Sequence, residues 1–165
     1  MSNRRYGGAT GPVACVLLPH FPWQAELCRN PDLKNRPAII LDAASGRSGR
    51  TVLDWSHEIE GVLPGMPLAE ALSRNKGALI IEPDTAHYEV AFGRVLKALE
   101  ERCPDVEDDG LGRAYVGIWG LEGLYGGDAR VVQTLANAVR QYDLRIGVGD
   151  NKWLSYVAAV QSKPG

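Results

Sequence analysis

Val106-Glu-Asp-Asp-Gly-Leu-Gly-Arg-Ala-Tyr-Val-Gly-Ile-Trp-Gly-Leu-Glu-Gly-Leu-Tyr-Gly-Gly127 is the stretch on which the fold turns. Ala114, Val116 and Ile118 alternate with Tyr115, Gly117 and Trp119, the period-two pattern of a strand, and Asp109-Gly110 is a turn dipeptide. Residues 106–119 therefore read as a hairpin. Two strands are not stable alone in water, so this hairpin must sit inside a larger sheet, and what its turn carries bears on function.

Working outward, Val13 to Leu18 is a continuous apolar run, as expected of a central strand buried on both faces. Pro19 and Pro22 break it, and Trp23 to Cys28 suggests one or two helical turns before Asn30-Pro31. Short strands are expected at Ala38 to Leu41 and Thr51 to Trp55, on either side of a flexible loop from Ala43 to Arg50 read as a solvated hairpin tip. Gly65-Met66-Pro67 opens a helix over Leu68 to Ser73, with Pro67 near its first turn, and Ala78 to Ile81 is a strand. Asp84 caps a long helix in which Tyr88, Phe92, Val95 and Leu99 form a core-facing stripe. Beyond the hairpin, Asp128 starts a helix that fills one face with Val131, Val132, Leu135, Ala136 and Val139. A strand over Leu144 to Val148 and a helix from Asn151 to Val160 follow. The large elements spell an α+β, ferredoxin-like βαββαβ frame with residues 22–75 inserted after its first strand. Residues 1–12, polar and Gly-rich, read as a disordered tail.

The 165 residues, 45% hydrophobic and 23% charged, are enough for one compact core. Eighteen basic against twenty acidic residues give a net charge of -2, which excludes the overall positive field of a self-sufficient nucleic-acid binder. Cys15, Cys28 and Cys103 are odd in number and never spaced as C-x-x-C, so they read as free thiols in a reducing cytoplasm. No apolar run approaches the roughly 18 residues of a membrane span. His20, His57 and His87 show no metal-ligand spacing and read as ordinary surface or half-buried side chains.

Frame alone does not give function. Asn30-Pro31-Asp32-Leu33-Lys34 with Arg36-Pro37, Gly65-Met66-Pro67-Leu68-Ala69-Glu70-Ala71, Val148-Gly149-Asp150-Asn151-Lys152 and Lys163-Pro164-Gly165 occur in an order and spacing that resembles the Y-family translesion DNA polymerases, from Val13 onward. The resemblance implies a palm (residues 13–21 and 76–165) with fingers made by residues 22–75; these residues stop where members of that family pass into the thumb, so the thumb and the DNA-gripping little finger are expected to be missing from them. In that family, carboxylates on the first strand and at the central hairpin hold two Mg²⁺ for phosphoryl transfer. The corresponding positions here are Leu17, Gly112 and Arg113, none of which offers the hard oxygen donor that Mg²⁺ requires. The triphosphate-contacting Tyr and Arg fall near His57 and Glu60, and the ribose-checking aromatic near Pro22; Lys152 alone of the triphosphate contacts is retained.

Val62 to Glu70, and Gly120-Leu121 followed by Leu124-Tyr125-Gly126-Gly127, are similar to the non-catalytic branch called ImuB. That similarity implies an adaptor in DNA repair and translesion synthesis, cytoplasmic and nucleoid-associated, using no Mg²⁺ or other cofactor. It implies weak DNA binding through these residues, with a replicative-type polymerase and a sliding clamp engaged through C-terminal regions. Two other readings stand beside it. Glu107, Asp108 and Asp109 could serve as relocated metal ligands of an active nucleotidyltransferase, or Gly147 to Lys152 as the phosphate loop of a small nucleotide-binding module. Asp150 or Asn151 capping the last helix accounts for the same loop without a ligand.

Overall fold

The computed structural model describes residues 11–43, 49–121, 123 and 126–162. Most of the expected N-terminal tail, most of the 43–50 loop, Leu124-Tyr125 and the terminal Lys163-Pro164-Gly165 lie outside them. The chain divides into two units, residues 1–19 with 95–165 and residues 20–94.

The first unit is built on a four-stranded antiparallel sheet ordered β5-β6-β1-β7, with β1 Val13–Leu17, β5 Val106–Asp108, β6 Arg113–Gly117 and β7 Arg145–Gly149. This is the ferredoxin-like order, and β1 is interior as its apolar run requires. Ala14, Val16, Ala114 and Val116 project to one face and are fully buried. Buried on the helices of this unit are Val95 and Leu99, from the long helix α3 (Thr85–Glu100), and Val131 and Leu135 on α4 (Asp128–Ala138). Val132 and Ala136, expected in the same buried stripe, instead line a cavity of about 510 Å³ with Tyr142 and Ile146. The apolar face of α4 is narrower than its sequence suggests.

The opposite face of this sheet receives the last helix, α5 (Lys152–Gln161), through Cys15, Tyr115 and Ala159, with Val13, Leu17 and Tyr156 packed around them. Two glycines make that approach possible. A Cβ on Gly147 would lie 2.1 Å from the Ala159 nitrogen, and one on Gly149 2.7 Å from that of Ser155, so the helix backbone rests directly on β7. Asn151 caps α5, its Oδ1 accepting from Leu154 N–H at 3.0 Å.

The second unit has a three-stranded sheet ordered β3-β2-β4: β2 Ala38–Leu41, β3 Val52–Trp55 and β4 Leu79–Ile81. β4 pairs in parallel with β2, so Leu79–Ile81 complete the smaller sheet. Ile39, Val52, Ile59, Val62 and Ala71 form its core against α2 (Leu68–Arg74), for which Pro67 is the N-cap residue. Helix α1 (Phe21–Arg29) contributes Phe21, whose ring meets that of Phe92 edge-on at 5.2 Å. The buried Glu26 carboxylate accepts from Tyr88 O–H at 2.8 Å and is paired with Arg29, which also reaches Asp84 at 2.6 Å. Asp84 caps α3, accepting from His87 N–H at 3.0 Å as its position predicts. Arg50, at the end of the polar loop, is ion-paired to Glu82.

Candidate functional site

The registers of β1 put Arg113 of β6 and Arg145 of β7 directly opposite Leu17. Opposed residues of antiparallel strands project to the same face, so Leu17 lies in a row between two arginines. The Arg113 Nε is 2.5 Å from Asp109 Oδ2, and its guanidinium lies over the Tyr156 ring, 5.1 Å from the centroid. That nitrogen is buried and its N–H is not aligned on the carboxylate, so the contact is an ion pair more than a directed hydrogen bond. Burial is the largest influence and lowers the Arg113 pKa, but the charge and close contact of Asp109, with Tyr115 and Tyr156, together outweigh it and hold the guanidinium above its usual value. Arg145 donates from Nη1 to the Val160 carbonyl at 2.9 Å, while its buried Nε has no hydrogen-bond partner among the described residues. Gly112, with φ of 85°, turns the chain into β6 and accepts from Leu18 N–H at 2.7 Å. An L side chain at that backbone angle is strained.

These residues do not fit Mg²⁺. The three acids read above as possible relocated ligands are each engaged separately. Glu107 is bidentate to Lys152 Nζ at 2.5 and 2.6 Å, Asp108 accepts from Gly110 N–H at 2.9 Å to close the turn, and Asp109 meets Arg113. Glu107 stands opposite Tyr115, without the register slip that would carry it to the hairpin tip. Among the described residues no three His, Cys, Asp or Glu side chains form a group that could hold a metal ion.

Lys152 meets Glu107 and lies 5.4 Å from the Tyr115 ring centroid. Gly147 and Gly149 belong to β7 and seat α5, and Asn151 is its cap, so these three residues of the Gly147 to Lys152 segment each have a structural role without a phosphate. Cys15, beneath α5, has its thiol pushed up to about 11, by burial first, with Arg113 opposing and Asp109 adding to it. It is protonated at neutral pH and is no nucleophile.

In the second unit two of the three expected nucleotide-contact positions, Pro22 and His57, lie beside the partners of a buried carboxylate that the sequence did not single out. His20, at the N-cap of α1, has a left-handed backbone (φ 52°), and its Nδ1 is 2.5 Å from Asp54 Oδ1. Asp54, 4% exposed, also accepts from Trp23 N–H at 3.0 Å and Trp55 N–H at 2.9 Å. It thus supplies from β3 the anion that caps α1. Pro22 is in the first turn of that helix and offers no N–H, and the exposed His57 ring stands edge-on to His20 at 5.8 Å. Glu60 is exposed, its carbonyl accepting from Asn75 at 3.2 Å, and is not part of this cluster. His20 and Asp54 are 34 positions apart, so no local pattern announces them.

Residues 16–160 match the impB/mucB/samB family. The chain is similar to DNA polymerase IV of Clostridium kluyveri, 26% identical over 157 residues that cover 92% of this chain and 39% of that protein. It is 28% identical over 158 residues to DNA polymerase IV of Pelotomaculum thermopropionicum, covering 93% and 39%. A post-insertion binary complex of Dbh DNA polymerase superposes with a TM-score of 0.79 at 22% identity, over 93% of this chain and 46% of that one. The chain thus spans less than half the length of these proteins.

Proposed function

The chain belongs to the impB/mucB/samB family of Y-family polymerase domains, and from that premise we propose that it is the palm-and-fingers part of a non-catalytic member, of the ImuB type. The four-stranded unit acts as palm and the three-stranded unit as fingers. Its role is that of an accessory or adaptor in DNA repair and translesion synthesis. DNA is held weakly through these residues, and a replicative-type polymerase and a sliding clamp are engaged through other parts of the protein. The near-neutral charge supports weak binding, because phosphate contacts supply most non-specific affinity. Among the described residues no helix is long and apolar enough to cross a membrane. A cytoplasmic, nucleoid-associated location follows from the proposed role.

The observation that carries this reading is the row Arg113-Leu17-Arg145. Two-metal catalysis needs carboxylates from adjacent strands to surround two cations about 4 Å apart. Here the adjacent strands bring two guanidiniums and an aliphatic chain. The test is to titrate Mg²⁺ and Mn²⁺ by calorimetry, with and without a deoxynucleoside triphosphate, while assaying primer extension. The chain should show neither stoichiometric metal binding at millimolar metal nor extension. Binding abolished by D108N/D109N would instead establish relocated ligands and an active nucleotidyltransferase.

A further inference from the structure

The end of the four-stranded sheet where β1 begins and β6 and β7 finish carries a pocket of about 450 Å³ that none of the chemistry above uses. Its walls include Pro12, Val13 and the Trp119 side chain, and Asp105 and Asp150 stand among its lining residues. Trp119 is 70% exposed, yet its inner side is held: a Cβ on Gly11 would fall 2.6 Å from the Trp119 Cβ. Trp153, in the first turn of α5 directly after the pocket-lining Lys152, is 69% exposed, and Leu154 beside it is also exposed. Two tryptophans left in water at one end of a small sheet are costly unless something covers them, and Trp is the residue most enriched at the energetic centres of interfaces.

The charges select the occupant. Lys152 lines the pocket too, but its charge is met by both Glu107 oxygens. The Asp105 carboxylate lies over β6, so close that a Cβ on Gly117 would be 2.2 Å from its Oδ2. Neither the Asp105 nor the Asp150 side chain has a hydrogen-bond or ion-pair partner among the described residues, and both are exposed. The lining therefore presents two uncompensated negative charges beside an apolar wall. Such a rim repels phosphate, which argues against DNA stacking on the tryptophans. We propose that this sheet end is a docking site for a peptide segment of a partner protein, one that places an aliphatic or aromatic side chain against Trp119 and a flanking Lys or Arg against Asp105 and Asp150. The site lies apart from the Leu17 row and does not depend on whether the chain is catalytic.

The experiment uses the full chain with ¹⁵N-labelled indoles and three probes: acetyl-Arg-Leu-Phe-Arg-amide, acetyl-Glu-Leu-Phe-Glu-amide and a twelve-residue oligothymidylate. The basic peptide should shift the Trp119 indole resonance saturably, with an affinity that falls as salt is raised. Both W119A and D105N/D150N should weaken it fivefold or more, and the acidic peptide and the oligonucleotide should leave Trp119 unmoved. Equal shifts from the acidic peptide would overturn the proposal, as would oligonucleotide binding at Trp119 or unchanged affinity in W119A. The chain's own Arg4-Arg5-Tyr6 offers the same chemistry. If R4S/R5S/Y6S raises the affinity for the basic peptide tenfold, the occupant is that segment and the partner reading falls; unchanged affinity supports it.

Discussion

Both units contain a charge where the resemblance puts contacts to substrate or metal, but the two charges are held very differently. In the four-stranded unit the charge is Arg113, more than a third exposed, paired to a similarly exposed Asp109. In the three-stranded unit it is Asp54, buried and accepting from His20 and two backbone N–H groups. An exposed pair contributes little to stability, whereas a buried carboxylate with its donors in place cannot be removed cheaply. The pair at Arg113 is thus one on which the fold depends little. Asp54 has become part of how its unit folds.

The contrast can be broken most severely through the glycine seat, which sets a ceiling for what the four-stranded unit tolerates. Gly147→Val would drive a side chain into the backbone of α5, which cannot yield as a flexible side chain would. The loss should be about 3 kcal/mol or more, read as a lowered urea midpoint. If Gly147→Val unfolds at the same urea concentration as the parent, α5 does not rest on β7 as described.

Next in size is Asp54→Ala. Trp23 and Trp55 N–H groups would lose their acceptor inside the protein, at a cost of about 2–3 kcal/mol. Urea unfolding followed by tryptophan emission measures it, and a change under 1 kcal/mol would put Asp54 on the same footing as Arg113.

A pH series sharpens the comparison from the other side. The Cys15 thiol is raised from 9.0 to about 11 in the folded protein, so the folded state retains a proton that the unfolded chain releases. Its stabilisation is complete below pH 9 and is lost as pH rises through 11, a decline of up to about 3 kcal/mol that Cys15→Ser should flatten. Smallest of all is Arg113→Ala, expected to change stability by less than about 1 kcal/mol because the pair with Asp109 is half in water. A loss above 2 kcal/mol would mean that the stack on Tyr156 carries the hairpin.

What could be read in advance follows the range of the forces involved. The stripe of Tyr88, Phe92, Val95 and Leu99 and the Asp84 cap obey helix spacing, and the structure buries and uses them as expected. The turn that brings Asp109 to Arg113 is likewise local, four residues from acid to base. The place of Leu79–Ile81 was not legible, because an apolar triplet pairs equally well with either sheet until topology chooses. Val132 and Ala136 satisfy the helical period yet line a cavity, since periodicity reports a face and not what covers it. The glycines of Gly147-Val-Gly-Asp-Asn-Lys152 invite a phosphate-loop reading, whereas their physical cause is the helix α5 packed directly on them. Asp54 and Arg145 matter only through partners that the fold delivers.

The thiol under α5 also works as a clock. Cys15 has no solvent exposure, while Cys28 in the same chain is open to reagent. In a Cys103→Ser chain, which removes the other buried thiol, a disulfide-forming dye should therefore label in two phases, with Cys28 setting the intrinsic speed and Cys15 reacting only in the fraction of time that α5 stands away from β7. The ratio of the two rates gives the opening equilibrium of that helix under native conditions, without denaturant.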